Sequence, residues 1–397
     1  MRILIAGAGI GGLTAALHLH AAGLTPELVE ATRRFEPLGV GINLLPAAVE
    51  ELTRLGLGAE LAALGVPVAE MAHFDRHGNL IWREPREGQY SVHRGELQML
   101  LLRAARDRLG AGAVRFGLAV EEFADGAQGV AVTCRDRVSG REVTLSAAAL
   151  IGADGLRSTV RRRLHPDEGE PLTNGITMWR GISRGAPFLT GRTVAVYGCN
   201  AHAKLVVYPI SRADGGLVQL NWVAEVRGPA PAPGRPLRDI RADLAARFAD
   251  WSLPELDVAA LFAAAPEVLE LPMTDRDPLP AWGFGPVTLL GDAAHPMYPI
   301  GSNGASQAIL DARALAAALS EASEPTEGLR SYEAVRLPLT NAVVAACRAM
   351  PADDILALVA ARAPDGFSDI AEVLSPDELA TVTAAYHHTS HVASFRT

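Results

Sequence analysis

The chain has 397 residues, 49% hydrophobic content and a formal charge of −9, which leaves room for two or three domains around a large core. No apolar run approaches the roughly 20 residues of a membrane span, and the acidic balance argues against a nucleic-acid partner. Cys134, Cys199 and Cys347 are odd in number and far apart, which reads as reduced thiols in a cytoplasmic setting without metal-ligand spacing.

Arg2 to Ala6 is rich in branched apolar residues and suits a buried parallel strand. Gly7, Gly9 and Gly12 follow at G-x-G-x-x-G spacing. In that pattern one glycine makes the tight turn, one leaves room for a pyrophosphate, and one lets helix and strand pack closely. The helix that follows puts Ile10, Leu13 and Leu17 on one face, with Gly23 as its C-terminal cap. A second strand ends in Glu30. An acid about 20 residues after the glycines accepts hydrogen bonds from ribose hydroxyls. Strand, turn, helix and acid together predict a site for an ADP moiety, and leave NAD and FAD both open.

Ala31 to Pro46 reads as a loop holding Gly39, Gly41 and Asn43, and Ala47 to Leu64 as helix broken at Gly56 and Gly58. Met71 to Trp82 is a hairpin pattern turning at His77-Gly78-Asn79. Arg94 opens the next helix, beside unpaired backbone N–H groups. There it serves a phosphate, a carboxylate, or the solvated surface. Val114 to Leu145 reads as strands around Gly126 and Gly140. The strand Ala147 to Ile151 then ends in Gly152-Ala153-Asp154-Gly155, and a carboxylate at that end of a parallel strand sits where open α/β sheets bind ligands.

After Pro171 the pattern changes. Ile176–Ser183, Thr193–Gly198, Lys204–Pro209 and Leu217–Glu225 alternate like half-buried strands of an antiparallel sheet. Lys204 is the only lysine, and its isolation reads as composition bias. A proline-rich loop, Arg227 to Pro236, and two short helices between Leu237 and Phe262 follow. Val287 to Leu290 is another buried strand, ending in Gly291-Asp292-Ala293-Ala294-His295-Pro296. Beyond Pro299, Gly301 and Gly304 a helix runs from about Ala305 to Ser320. Its N-terminus suits an anion or a polarised carbonyl. The remaining chain is helical in pattern, with breaks at Pro338, Pro351 and Pro364.

These segments resemble the group A flavoprotein aromatic monooxygenases. Gly7-x-Gly9-x-x-Gly12 with Glu30 matches their ADP fingerprint. Gly152-Ala153-Asp154-Gly155 with Ser158, Val160 and Arg161 resembles their second motif, and Gly291-Asp292 through Pro296 their third. LGVGINLLPAAVE, HRGELQMLLL, GITMWRG and LLGDAAHPMYPIGSNGASQAILD are similar to a phenazine-modifying branch of that family. The resemblance implies non-covalent FAD, NADH or NADPH as co-substrate, and O2. The reduced flavin forms a C4a-hydroperoxide that hydroxylates an aromatic small molecule, with or without decarboxylation. The substrate is a phenazine-like nitrogen heterocycle, or else a quinolone, indole or polyketide. A dehydrogenase would leave the Gly291-Asp292 region unexplained.

The implied architecture is α/β (α+β overall): a doubly wound, Rossmann-like FAD-binding domain, an antiparallel-sheet substrate domain and C-terminal helices. Its expected boundaries are 1–70, 94–172 and 272–325; 71–93 and 173–271; and 326–397. Carried over by motif, Gly7, Gly9, Gly12 and Glu30 hold the ADP half. Gly41 lies in the loop by the flavin, and Arg94 and Asp154 lie near the pyrophosphate. Asp292 meets ribityl or ribose hydroxyls, and Gly301, Asn303 and Gly304 face the pyrimidine end of the flavin. His295 and Pro296 sit near the isoalloxazine, with a structural hydrogen bond as the other reading of His295. Trp179, Trp222, Tyr208 and Tyr298 stack on or touch substrate, or belong to the core. Arg180 pairs with a substrate carboxylate or faces solvent. His387, His388 and His391 read as a tail rather than a metal site. The protein is expected to be cytoplasmic, and monomeric or homodimeric.

Overall fold

A computed structural model describes residues 1–36, 39–126, 129–228, 234–381 and 383–384. His387, His388 and His391 lie outside the described residues, as does the middle of the proline-rich loop.

The first strand, Arg2–Ala6, is the centre of a five-stranded parallel sheet. In spatial order the strands are Val287–Leu289, Ala149–Gly152, Arg2–Ala6, Thr25–Glu30 and Val114–Phe116. Ile3, Leu4 and Ile5 are fully buried, and each such side chain contributes about 1.5–3 kcal/mol. Because the strands are parallel, Gly7, Gly152 and Leu290 all leave the sheet at one edge, where such folds open a crevice. The helix Ile10–Ala21 packs against Arg94–Leu109 on one side and Asn303–Glu321 on the other. It is therefore buried from Gly12 to Leu19 rather than along one stripe. Gly23 and Leu24 close its end by donating to the carbonyls of His20 (2.9 Å) and Leu19 (3.0 Å).

The second layer is a seven-stranded sheet. Its order is Val268–Asp275, Leu172–Gly185, Val218–Arg227, Ala203–Pro209, Thr193–Cys199, Glu70–Phe74 and Leu80–Pro85. It is antiparallel except where Thr193–Cys199 runs alongside Glu70–Phe74. Its central strands are buried on both faces rather than one. The outer face (Trp179, Leu220, Trp222, Ala224) packs on the helices Leu237–Arg247 and Val258–Ala264. The inner face (Ile176, Met178, Val223, Met273) packs on Met297, Tyr298, Val343 and Val344.

The C-terminal helices strap the two sheets together. Pro338 does not end the helix Pro325–Ala349, although a proline normally removes one helical hydrogen bond. The Thr340 hydroxyl donates to the carbonyls of Arg336 (3.0 Å) and Leu337 (3.3 Å), and Arg336 is anchored on the neighbouring helix. Pro351 opens the next helix, Pro351–Arg362, where its missing N–H costs nothing. Among the described residues no helix is long and apolar enough to cross a membrane.

Candidate active site

The glycine turn divides its work between fold and cleft. Gly7 takes φ = 100°, and a Cβ there would lie 2.4 Å from the Ala153 carbonyl oxygen. A Cβ on Gly12 would lie 2.1 Å from the Gly7 oxygen, so both positions are closed to side chains by the protein itself. At Gly9 a Cβ would meet nothing within 4 Å. That space belongs to a cleft of about 1000 Å³ whose lining includes Gly7, Gly9, Glu30, Arg94 and Asp154.

Glu30 accepts from the backbone N–H of Ala8 (2.9 Å) and of Thr32 (2.8 Å), one bond to each oxygen. Each oxygen keeps a further lone pair for a ribose hydroxyl. Arg94 is exposed at the cleft, and its guanidinium has no partner among the described residues. Asp154 is different: its carboxylate accepts from Ser158 Oγ and from the N–H groups of Thr159 (2.7 Å) and Val160 (3.3 Å). It caps the helix Thr159–Leu164, and burial pushes its carboxyl above the ordinary range.

Arg161 stitches the second and third motifs together. Its Nη1 donates to the carbonyls of Ala293 (3.0 Å) and Ala294 (2.7 Å), while Glu168 holds its other edge. Asp292 is exposed, and its Oδ1 would stand 3.8 Å from a Cβ on Gly304. Gly301 (φ 68°) and Ser302 (φ 62°) make a left-handed double turn into the helix Asn303–Glu321, whose first turn has no side-chain cap. A non-glycine residue in that region is strained, a feature that clusters at functional sites. Asn303 is buried, donates to the Ile300 carbonyl (3.3 Å), and leaves its Oδ1 without a partner.

His295 is buried and bonds Asp311 Oδ2 through Nε2 at 2.6 Å, the structural reading of that residue. Asp311 also takes Arg336 Nε (2.8 Å) and the Gly291 N–H (3.1 Å). Burial opposes its charge, but His295 and Arg336 outweigh burial and hold the carboxyl at about 2. Pro296 is buried beside it.

Trp179 and Trp222 are not on the cleft side of the large sheet. Neighbours along a strand point to opposite faces, and these two rings belong to the outer core. Trp179 Nε1 donates to Glu270 (2.8 Å) and Trp222 Nε1 to Ser183 (3.0 Å). The inner face carries Arg180, Tyr208 and Asn221 instead. Asn221 Oδ1 accepts from the Gly41 N–H (2.6 Å), and Arg180 Nη2 donates to the Gly41 carbonyl (3.1 Å). Gly41 is not in a loop as expected but opens a strand, Gly41–Leu44, paired with Tyr90–His93, and a Cβ on it would strike Asn221 at 2.6 Å, so this strand lies directly on the large sheet. Arg180 and Asn221 lie beside the Tyr208 hydroxyl, which burial pushes up to about 12. Arg180 Nε and Asn221 Nδ2 are buried donors with no acceptor among the described residues. Tyr298 is buried in the apolar cluster beside them, with Met178, Met273, Met297 and Met350.

Sequence reading missed Asn221, the Asp311–Arg336 pair and a third group. Lys204 is buried, and its Nζ reaches Glu225 (2.8 Å) and both oxygens of Asp353 (2.9 and 3.1 Å). Burial opposes its charge, yet the two carboxylates raise it above the usual lysine range. Its isolation as the only lysine was a signal available in the sequence.

The open space at Gly9, the free Arg94 and Asp292, and the uncapped helix at Asn303 fit a dinucleotide bearing a polarised ring. In accord with that geometry, residues 1–347 match the FAD binding domain family, and the chain belongs to it. It is an FAD-dependent aromatic hydroxylase, with NAD(P)H and O2 as co-substrates. The chain is 48% identical to the phenazine 1,6-dicarboxylic acid hydroxylase PhzS of Lysobacter antibioticus, over 87% of this chain and 89% of that one. It is 31% identical to 3-hydroxybenzoate 6-hydroxylase 1 of Aquipseudomonas alcaligenes, over 86% of each. Among solved structures, HpxO of Klebsiella pneumoniae with FAD and uric acid superposes with a TM-score of 0.78 at 25% identity, covering 98% of this chain and 93% of that one.

Proposed function

We propose that this hydroxylase acts on a planar aromatic acid of the phenazine type, held on the inner face of the large sheet. One observation carries the reading: among the described residues, two buried donors, Arg180 Nε and Asn221 Nδ2, lack acceptors beside an apolar wall that includes four methionines. Burying unpaired donors is costly, and a carboxylate or ring heteroatom relieves that cost. Methionine is polarizable and adapts to a flat aromatic surface. The 48%-identical relative named for a phenazine acid supports the same substrate class.

Gly7, Gly9, Gly12 and Glu30 hold the ADP half of FAD, and Arg94 faces its pyrophosphate. Asp292 takes the ribityl hydroxyls; Gly301, Asn303 and Gly304 face the pyrimidine end. Asp154 acts through the loop it caps. When bound and reduced, FAD supplies the oxygen-activating chemistry. The positive end of the helix beginning at Asn303 would stabilise negative charge gained by a flavin held there, and Tyr298 with the methionine wall would exclude water. His295 positions the Asp292 turn through Asp311. The division of labour follows 1–70, 94–172 and 272–325 for FAD, 71–93 and 173–271 for substrate, and 326–397 as closing helices. Three buried free cysteines support a reducing, cytoplasmic setting, for a monomer or homodimer.

The test is NAD(P)H consumption by the FAD-loaded protein in air, with phenazines, quinolones and indoles, following products by mass. A phenazine acid is expected to speed consumption and gain one oxygen, and a product in which hydroxyl replaces carboxyl would show coupled decarboxylation. Stimulation by quinolones or indoles alone would overturn the phenazine assignment.

A further inference from the structure

The register of the large sheet sets its inward side chains in rows. Arg180 lies opposite Val223 on one side and Leu269 on the other. In the next row Met178 lies opposite Glu225 and Leu271, with Lys204 beyond Glu225. Directly opposed residues of an antiparallel pair share a face, so Leu269 and Leu271 belong to the inner face that carries Arg180 and Met178. The alternation along their own strand agrees. Glu270, between them, accepts from Trp179 of the outer core (2.8 Å), whereas Met273 is packed inward. Leu269 and Leu271 are nevertheless 42% and 43% exposed.

Arg180 Nε has no acceptor among the described residues, and the face around it is closed on three sides. Toward Asn221 the strand Gly41–Leu44 covers the sheet, with Asn221 Oδ1 taking the Gly41 N–H at 2.6 Å. Toward Lys204 the helix Pro351–Arg362 covers it, since Lys204 Nζ is locked between Glu225 (2.8 Å) and Asp353 (2.9 and 3.1 Å). Toward Met273 the helix Pro325–Ala349 covers it, and Met273 is fully buried in one cluster with Val343 and Val344. The fourth side is the edge of the sheet, where Val268–Asp275 is the last strand. That strand holds Pro272, and a proline on an edge discourages pairing with another chain.

We infer that Leu269 and Leu271 are the apolar lip of the substrate cavity and select fused-ring over single-ring aromatic acids. The inference rests on the substrate reading above and gives the bound acid a direction: carboxylate at Arg180, outer rings over the sheet edge. Neighbouring strands lie about 4.8 Å apart. A single ring anchored at Arg180 therefore stays over its own strand, and a ring fused to it reaches Val268–Asp275. Covering the two leucines removes apolar surface from water, a gain that a one-ring acid forgoes.

Calorimetric titration of the FAD-loaded protein with benzoate, quinoline-2-carboxylate and phenazine-1-carboxylate tests this without turnover. Wild-type affinity should rise with ring number. Leu269→Ser with Leu271→Ser should raise the Kd of phenazine-1-carboxylate about ten-fold and leave that of benzoate within about two-fold. Both positions are exposed, so the melting temperature should stay within about 2 °C of wild type. Arg180→Met reads the anchor separately and should weaken all three acids. An unchanged phenazine-1-carboxylate Kd in the serine variant, or an equal loss for all three acids, would overturn the inference. So would a wild-type dimer that the serine variant splits in gel filtration, because a second copy would then cover the leucines. Arg180→Met without effect on any acid, or a wild type that binds none of them, would overturn the substrate reading and this inference with it.

Discussion

Replacing Gly9 with alanine separates the cofactor from the fold. Gly9 has φ −69° and ψ −175°, an extended conformation open to any residue. A Cβ there meets nothing within 4 Å. The apoprotein should therefore melt within about 2 °C of wild type, the range of a surface substitution of up to ~0.5 kcal/mol. The cleft should respond quite differently, because the added methyl stands between the turn's N–H groups and the pyrophosphate. Each hydrogen bond to a charged group contributes about 1.5–3 kcal/mol, so losing one weakens FAD by roughly ten- to hundred-fold. Flavin-fluorescence titration reads the affinity directly. Melting with FAD reads it again, since ligand at 100 times its Kd adds about 2.7 kcal/mol to the wild type. Gly12→Ala is the counterpart: its Cβ would fall 2.1 Å from the Gly7 oxygen, so the apoprotein itself should lose about 1–3 kcal/mol or more. Wild-type FAD affinity in the Gly9→Ala variant, or an apoprotein weakened like that of Gly12→Ala, would refute the reasoning.

Asp311→Asn leaves the buried Arg336 without its carboxylate, and should cost about 3–5 kcal/mol in urea unfolding. Burial, aided by Arg313 and Arg54, holds the His18 imidazole down to about 4 from an ordinary 6.5. The unfolded chain takes up that proton first, so the stabilisation is complete above pH 6.5 and is lost as pH falls through 4. A shift of this size is about 3 kcal/mol, and His18→Gln should flatten the stability profile across that window. Trp222→Phe removes the 3.0 Å bond to Ser183 on the outer face. It should cost about 1 kcal/mol of stability and leave the substrate KM unchanged; a raised KM would put the ring back in the site.

The dinucleotide half was legible because its chemistry is local. Gly7, Gly9, Gly12 and Glu30 occupy one strand–turn–helix–strand unit, and sequence spacing sets their geometry almost directly. The substrate half was less so. Alternation along Val218–Arg227 separates two faces but does not say which one meets the cleft, and here both are buried. Trp222 and Asn221 are adjacent in sequence and serve opposite layers. The networks were out of reach for a related reason: Arg161 lies 132 residues from the Ala293 carbonyl, and Lys204 lies 149 from Asp353. Pro338 misled because its penalty is local, whereas the packing that holds the helix, including the Arg336–Asp311 pair, depends on the folded surroundings.

The Lys204 network has a practical corollary. Lys204 and the chain's α-amino group are its only amines, and the first is sealed between the sheet and the Pro351–Arg362 helix. An amine-reactive reagent in the native state finds a single target at the chain's start. Any acylation of Lys204 then counts the moments at which the Asp353 helix lifts from the sheet. The chain thus carries its own reporter of that opening, readable by mass without introducing a label.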